Sequence, residues 1–190
     1  MRTALMVLFL AAPALAAGKF TLTSNDVKPN AVLADKHVFD GMGCTGENVS
    51  PHLAWANPPA DTKSFAVLVH DPDAPTGGSG WWHWLVYNIP ADAKELPQGA
   101  GSGKADLPAG AAQGKTDFGK EGYGGACPPE GDKPHRYNFT VYALKTEKLE
   151  VPPDATAAVV GYMVNANKLG SATFTAKYSR PKAKAAPAAK

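Results

Sequence analysis

Four segments of the sequence have the composition of β-strands, and they restrict the fold more than any other feature. Residues 64–70 and 84–89 are nearly continuous apolar runs rich in β-branched and aromatic side chains, which is typical of strands buried on both faces. Residues 136–144 and 171–178 alternate apolar and polar side chains, as strands with one buried face do. The sequence therefore predicts a mainly β protein.

Turn-forming residues separate these segments. Nineteen glycines and seventeen prolines favour a loop-rich β domain over a helical bundle. Alternation over residues 19–24 predicts an opening strand, and residues 37–39 predict a short one. Residues 40–59 read as loop, and residues 90–134 carry too many glycines and prolines for a helix or strand to be predicted. A loop of the latter length inside a compact domain is usually functional or mobile.

One helix is predicted, over residues 155–168. Asp154 is placed to act as its N-cap and Gly170 as its C-terminal stop. Apolar residues at helical spacing predict the buried face of this helix, which would consist of Ala158, Val159, Tyr162 and Met163.

The two ends of the chain resemble an export signal and a tail. Residues 1–16 combine a positive start, an apolar stretch and small residues before a cleavage point that we expect after Ala16. The mature protein would then be periplasmic or secreted. Residues 181–190 contain only Pro, Ala and Lys, which predicts a disordered tail. A single domain would span residues 17–180.

The charge of the chain argues against nucleic acid as a partner. The 190 residues carry a formal net charge of +2. No stripe of Lys and Arg interleaved with aromatic residues is present in the sequence.

The two cysteines, Cys44 and Cys127, lie in glycine- and proline-rich segments. In an oxidising compartment such a pair predicts a disulfide. A chain-entropy estimate gives so long a closure roughly 4–5 kcal/mol of stability. Two unpaired thiols remain the alternative, and catalytic Cys/His chemistry is favoured less than either.

Polar side chains at the ends of the predicted strands form a candidate site, namely Asp71, Asp73, His83, His135 and Tyr137. Antiparallel pairing of residues 64–70 with 84–89 would bring Asp71 and His83 to one edge of a sheet. Two histidines, a tyrosine hydroxyl and glycine-rich backbone can bind a small anion, provided that Asp71 shares a proton or orients a histidine. Such a site predicts anion binding that strengthens as the pH falls toward 6.

A hydrolytic metal site built from two histidines and an aspartate is the alternative for the same residues. The sequence has no His-x-His or His-Glu-x-x-His ligand spacing, no phosphate loop ending in Gly-Lys-Ser/Thr and no Gly-x-Ser-x-Gly elbow. We therefore predict neither a metal nor another cofactor.

Three motifs resemble the signature regions of the phosphatidylethanolamine-binding proteins, and within them the bacterial Raf-kinase-inhibitor-like branch. They are residues 71–75 (Asp-Pro-Asp-Ala-Pro), 82–88 (Trp-His-Trp-Leu-Val-Tyr-Asn) and 125–131 (Gly-Ala-Cys-Pro-Pro-Glu-Gly), the last leading to His135-Arg136-Tyr137. The resemblance implies a β-sandwich of two antiparallel sheets with one or two short helices. It also implies a small pocket at one end that accepts phosphate-like groups, including phospholipid headgroups.

Carried over by motif, the resemblance assigns the members of this pocket. They would be the side chains of Asp71, Pro75, Trp81, His83, His135 and Tyr137, together with the segment that contains Ala126, Cys127 and Pro129. The resemblance further implies a cis peptide bond between Ala74 and Pro75. The family is better known for binding, and for inhibiting kinases or proteases, than for catalysis.

These observations predict a periplasmic, non-enzymatic binding protein for a small phosphoryl or other anionic ligand. A partner protein and a peripheral contact with lipid headgroups are further expectations, as is a monomer or a homodimer. A hydrolase acting at the same pocket and a secreted inhibitor of a protease or other enzyme are the alternatives.

Overall fold

A computed structural model describes residues 18–182 of the chain. The predicted signal peptide and most of the predicted tail lie outside the described residues. The strands and the helix, in chain order, are β1 (Thr21–Thr23), β2 (Asp40–Gly41), β3 (Cys44–Thr45), β4 (Leu53–Ala56), β5 (Ser64–Asp71), β6 (Trp81–Pro90), β7 (Glu95–Leu96), β8 (Ala112–Gln113), β9 (His135–Leu144), α1 (Ala157–Asn167) and β10 (Lys168–Tyr178). Single 3-10 turns cover Asp35–His37 and Ala100–Ser102.

The strands form antiparallel sheets. A five-stranded sheet has the order β10-β9-β5-β6-β8, a three-stranded sheet has the order β1-β4-β7, and β2 pairs with β3 in a small hairpin. Each pairing between these strands is antiparallel. The prediction of a mainly β fold with antiparallel sheets is confirmed.

The central strand β5 is buried on both faces, which explains its unbroken apolar sequence. Phe65, Val67 and Val69 point into the core between the five-stranded and three-stranded sheets. Ala66 and Leu68 point to the opposite face, where they pack in a second core with α1. The molecule therefore has three layers, and β5 contributes apolar area to both cores.

The long strands lie where the sequence predicts them. The opening strand predicted over residues 19–24 is present as β1, whereas the other short strands differ from the prediction. β5, β6, β9 and β10 cover the four predicted segments and extend most of them by a few residues. Residues 37–39 are not a strand, because a 3-10 turn ends at His37 and only Val38 forms a bridge, to Ala126. Residues 40–59, predicted to be loop, contain the short strands β2, β3 and β4, which the many turn residues around them conceal.

The predicted ends of the helix are wrong by one or two residues. The N-cap is Thr156, whose hydroxyl accepts a hydrogen bond from the backbone N–H of Val159 at 3.3 Å. Asp154 precedes this cap and takes no part in it. Gly170 does not stop the helix, since α1 ends at Asn167 and β10 begins at the next residue.

The predicted buried face of α1 is also largely wrong, since of its four residues only Met163 packs against the second core. The residues that the helix buries are Ala157, Val160, Gly161 and Val164. Val159 is 40% exposed and Tyr162 is 75% exposed. The helix is apolar on several sides, so spacing alone does not select a face. Packing on the five-stranded sheet selects it, because Val160 and Val164 join Leu68 in the second core.

Within residues 18–182, no helix combines the length and the apolar character needed to cross a membrane.

Candidate functional site

A pocket opens where the first residues of β6 and β9 meet the last residue of β5. Its volume is about 290 Å³. The residues that line it are Met42, Asp71, Ala74, Pro75, Thr76, Trp81, His83, Phe118, Cys127, Pro128, Pro129, His135 and Tyr137. The pocket lies at one end of the core between the two larger sheets. Tyr137 belongs both to this core and to the pocket wall.

Most of the residues predicted from the sequence line this one cavity. They are Asp71, Pro75, Trp81, His83, Cys127, Pro129, His135 and Tyr137. Ala126 does not line the cavity, since its side chain is buried in the core and its carbonyl accepts a hydrogen bond from the N–H of Phe39. That these residues bind a ligand stays a prediction.

Five lining residues were not assigned from the sequence. Ala74 and Pro128 lie inside the motifs that carry the family resemblance, whereas Met42, Thr76 and Phe118 lie outside them. Met42 lies in the β2–β3 hairpin, two residues before Cys44, so the predicted disulfide to Cys127 was a signal that could have placed it near the pocket. Phe118 lies in the long segment without a predicted element. Its ring stacks on Phe39 with centroids 4.4 Å apart and forms one apolar wall of the cavity.

A β-bulge in β6 turns His83 toward the pocket. Val69 of β5 pairs with Trp84 and His70 pairs with Trp82, so His83 is the extra residue between them. As a result Trp84 packs in the core between the sheets while Trp82 packs on the helix side. Simple alternation along the strand predicts that Trp82 and Trp84 share a face of the sheet, so it could not predict this arrangement.

The backbone fixes the tautomer of His83. Its Nδ1 lies 2.7 Å from the carbonyl oxygen of Gly124, which can only accept, so Nδ1 carries a proton. Burial lowers the pKa of His83 to about 4, and this effect exceeds the opposing influence of the Gly124 carbonyl and of Asp71. The ring is therefore neutral above about pH 5, which corrects the prediction that this histidine becomes charged near pH 6.

Asp71 and His135 form a buried pair at the floor of the pocket. His135 Nδ1 lies 2.7 Å from Asp71 Oδ2, and both side chains are almost fully buried. The other carboxylate oxygen of Asp71 accepts the backbone N–H of Asp73 at 2.8 Å. On its outer side His135 Nε2 lies 3.4 Å from Asp132 Oδ2. Asp71 thus orients a histidine, which is one of the two roles expected of it.

Asp73, the second predicted aspartate, does not line the pocket. Its carboxylate accepts hydrogen bonds from the side chain of Arg136 at 2.8 Å to each oxygen, and from the backbone N–H of Arg136 at 2.9 Å. The side-chain hydrogen bonds from Arg136 lower the pKa of Asp73 to about 2. The pair joins the start of β9 to the loop after β5. It therefore holds these two segments of the pocket wall together without lining the pocket itself.

Two hydrogen-bond donors in the pocket wall are buried and lack a partner among the described residues. They are the hydroxyl of Tyr137 and the indole Nε1–H of Trp81. Burial, followed by the nearby charge of Asp71, raises the pKa of Tyr137 well above its usual value, so the hydroxyl keeps its proton. A buried donor without a partner costs about 1–3 kcal/mol, which favours a ligand that can accept from both.

The peptide bond between Ala74 and Pro75 is trans, as are the others from residue 18 to residue 182. The cis bond that the family resemblance implies is therefore not present. The N–H of Thr76 donates to the carbonyl of Ala74 at 2.8 Å, which closes a three-residue turn around Pro75. Such a turn suits the φ that the proline ring imposes.

The disulfide between Cys44 and Cys127 is present, with a Cα–Cα distance of 6.0 Å. It links the β2–β3 hairpin to the loop that carries Pro128 and Pro129. Both loops contribute residues to the pocket, so the disulfide holds two of its walls together.

No group of three or more His, Cys, Asp or Glu side chains between residues 18 and 182 is arranged to hold a metal ion. Asp71 and His135 are already paired with each other, and His83 directs Nδ1 to a backbone carbonyl.

Comparison with known proteins identifies the family. Residues 23–179 match the sequence profile of the phosphatidylethanolamine-binding proteins. The chain belongs to this family. YbcL of Escherichia coli is 55% identical over 163 residues, which are 85% of this chain and 88% of YbcL. YbhB of the same organism is 55% identical over 158 residues, covering 83% of this chain and 99% of YbhB.

Solved structures of phosphatidylethanolamine-binding proteins have the same fold. The crystal structure of E. coli YbcL, described as a new member of the mammalian family, has a TM-score of 0.82 at 56% identity and covers 85% of this chain and 99% of that one. A homologue from Chlamydia trachomatis has a TM-score of 0.71 at 29% identity and covers 85% of this chain and 97% of its own.

Proposed function

We propose that this member of the phosphatidylethanolamine-binding protein family binds a small phosphoryl-type anion in the pocket and does not turn it over. The observation that carries the proposal is the pair of buried donors, Tyr137 Oη–H and Trp81 Nε1–H, in the wall of a cavity that also contains His83. Phosphoryl oxygens are strong acceptors and can satisfy both donors at once.

The size of the pocket favours a headgroup over a whole lipid. A volume of about 290 Å³ is at the lower end of ligand pockets in proteins. Pro75, Pro129, Phe118 and Met42 give the cavity apolar walls, against which a short organic substituent on the phosphorus can pack. The name of the family refers to phosphatidylethanolamine, whose headgroup has these two parts.

We also propose that the protein works outside the cytoplasm, in the periplasm or after secretion. The disulfide between Cys44 and Cys127 supports this location, because such bonds persist in oxidising compartments. The apolar N-terminal segment of the sequence supports it independently.

The test is an NMR titration of the mature, oxidised protein with phosphoethanolamine. We expect shift changes at His83, Tyr137 and the loop around Gly124. Tyr137→Phe should weaken binding by roughly tenfold, because one charge-assisted hydrogen bond is lost. The matched control is Tyr178→Phe, which removes a tyrosine hydroxyl outside the pocket and should leave the affinity unchanged.

Three results would count against the proposal. Absence of shifts with phosphoethanolamine and with inorganic phosphate would show that the pocket does not bind phosphoryl groups. Release of phosphate from a phosphomonoester, lost in Asp71→Asn, would favour the hydrolase instead. A protease or other enzyme inhibited by the protein would point to the inhibitor role, and that inhibition should then survive Tyr137→Phe.

A further inference from the structure

We infer that Arg180 is a positioning residue for the pocket wall. Its side chain binds two loops at once, the β2–β3 hairpin and the segment of Pro128 and Pro129, which the disulfide also joins. Arg180 comes directly after the part of the chain that matches the family profile. Its effect on the loops does not depend on the proposed function, whereas its effect on ligand binding rests on that function.

The guanidinium of Arg180 donates to a backbone carbonyl in each loop. Its Nε–H donates to the carbonyl of Pro128 at 2.7 Å, and its Nη1–H donates to the carbonyl of Gly43 at 2.9 Å. Nη1 also lies 3.4 Å from the carboxylate of Glu130, in the same segment as Pro128. Because the donors of a guanidinium form a rigid planar fork, these bonds set the distance between the two loops.

The backbone of the C-terminal segment places this side chain between the loops. After β10 ends at Tyr178, Arg180 forms a bridge with Glu130, and its carbonyl accepts a hydrogen bond from the N–H of Gly131 at 2.9 Å. The side chain of Arg180 is only 17% exposed. Confining so long a side chain costs conformational entropy, and the charge-assisted hydrogen bonds to the two carbonyls offset that cost.

Gly43 permits the close approach of the guanidinium. Its φ of +80° lies in the left-handed region, which favours glycine. A Cβ at this position would lie 3.2 Å from Arg180 Nη1. The tip of the hairpin therefore has both the backbone turn and the space that the contact with Arg180 needs.

Arg180 acts on the pocket through neighbouring residues, because it does not line the cavity itself. Met42, which lines the cavity, directly precedes Gly43, whose carbonyl accepts one of the hydrogen bonds. Pro128, whose carbonyl accepts the other, lines the cavity directly. Loss of the Arg180 side chain should therefore let the two walls move apart without removing any group that contacts a ligand.

The disulfide and Arg180 link the same two loops in parallel. The disulfide joins the residues next in sequence to the two whose carbonyls Arg180 binds. β2 and β3 have two residues each, too few for the hairpin to be stable alone. The N–H of Phe39 fixes the base of the hairpin to the carbonyl of Ala126 at 3.1 Å. The tip depends on the two links, so losing both should cost more than the sum of the single losses.

The first experiment measures hydrogen exchange of the ligand-free protein in four forms. They are the wild type, Arg180→Ala, the double variant Cys44→Ser, Cys127→Ser, and the triple variant that combines these changes. In the oxidised protein, Arg180→Ala should accelerate exchange of residues 40–45 by less than about threefold, because the disulfide still holds the tip. Without the disulfide, the same substitution should accelerate it by at least about tenfold. Exchange of α1, which reports on the rest of the fold, should change far less.

The conservative variant is Arg180→Lys. It keeps the charge and can donate to one carbonyl, but it lacks the planar fork that reaches both carbonyls together. In the background without the disulfide, exchange of residues 40–45 should therefore be faster in Arg180→Lys than in its parent and slower than in Arg180→Ala.

The second experiment measures the affinity for phosphoethanolamine by calorimetry in the same four forms, at a temperature where all are folded. Without the disulfide, Arg180→Ala should weaken binding by at least about fivefold, because the ligand must then order the two walls. The charge control is Lys177→Ala, which removes one positive charge from the end of β10 at a position that does not line the pocket. At physiological salt it should change the affinity by less than about twofold.

The outcomes separate this inference from the proposed function. If residues 40–45 exchange equally fast in the double and the triple variant, Arg180 does not hold the wall and the inference is wrong, whatever the pocket binds. If exchange accelerates as expected but even the wild type does not bind phosphoethanolamine, the proposed function fails and the role of Arg180 in holding the loops stands. If exchange accelerates while the affinity is unchanged, or if Lys177→Ala weakens binding as much as Arg180→Ala, the positioning role is overturned.

Discussion

Two buried histidines, His37 and His83, control how the fold responds to acid. Each places Nδ1 next to a backbone carbonyl, that of Val49 at 2.6 Å and that of Gly124 at 2.7 Å. Burial lowers the pKa of both residues from the ordinary value near 6.5. Each ring is therefore held neutral in the folded state at a pH where the unfolded chain binds a proton.

We predict that the free energy of unfolding falls as the pH drops from about 6.5 toward 4. Between these values the unfolded state binds a proton that folded His83 excludes, so His83 removes about 1.4 kcal/mol of stability per pH unit. The lowered pKa of His37 adds a loss of the same sign. For His83, with a folded pKa of about 4, the total loss is on the order of 3 kcal/mol. Urea denaturation at several pH values measures this slope.

The control for this prediction is His83→Asn, which keeps the hydrogen bond to Gly124 without a titrating ring. In this variant the free energy of unfolding should fall less steeply as the pH drops, because only His37 still contributes to the loss. A variant with the same slope as the wild type would show that His83 titrates normally. Asp73, with its pKa lowered to about 2 by Arg136, should contribute only below about pH 4.

The charge of His83 could not be predicted from the sequence, although its position in the site could. Strand ends and antiparallel pairing were enough to bring Asp71, His83 and His135 together. The neutral state depends on burial of the ring, which outweighs the opposing effect of the Gly124 carbonyl, 41 residues away along the chain. It also depends on a bulge that no alternation pattern indicates.

The face that α1 turns to the core gives a matched pair of substitutions. Val160 is 1% exposed in the second core, and its neighbour Val159 is 40% exposed. We predict that Val160→Ala lowers the free energy of unfolding by about 2 kcal/mol through lost burial and cavity formation. Val159→Ala should change it by less than about 0.5 kcal/mol. If both substitutions lowered the free energy of unfolding equally, Val159 would be buried, as the sequence predicts.

The strength of the apolar pattern determined which strands and helices could be predicted from the sequence. β5 and β9 were predictable because long runs of apolar or alternating residues admit few other structures. β4 was not, because its few residues gain stability only by pairing with β1 and β7 and by packing Trp55 on Phe65, at 5.2 Å between ring centroids. The helix was predicted but its buried face was not, because contacts with the five-stranded sheet in the second core determine that face.

The arrangement of the whole molecule depends on contacts between distant parts of the chain. The pocket combines the ends of three strands with several loops, two of which, the β2–β3 hairpin and the segment of Pro128 and Pro129, are far apart in sequence. The disulfide between Cys44 and Cys127 joins those loops across 83 residues. Such a link constrains the unfolded chain strongly, because the loop that it closes is long.

We predict that the double variant Cys44→Ser, Cys127→Ser folds but is less stable than the oxidised protein by up to about 4 kcal/mol. Reductant should destabilise the wild type by a similar amount and leave the variant unchanged, which separates the bond from any effect of the serines. Because Met42 and Pro129 lie in the two released loops, hydrogen exchange of residues 40–45 should also accelerate. Equal stability with and without the bond would mean that the sheets alone hold these loops in place. The pocket would then have the same shape in a reducing as in an oxidising compartment.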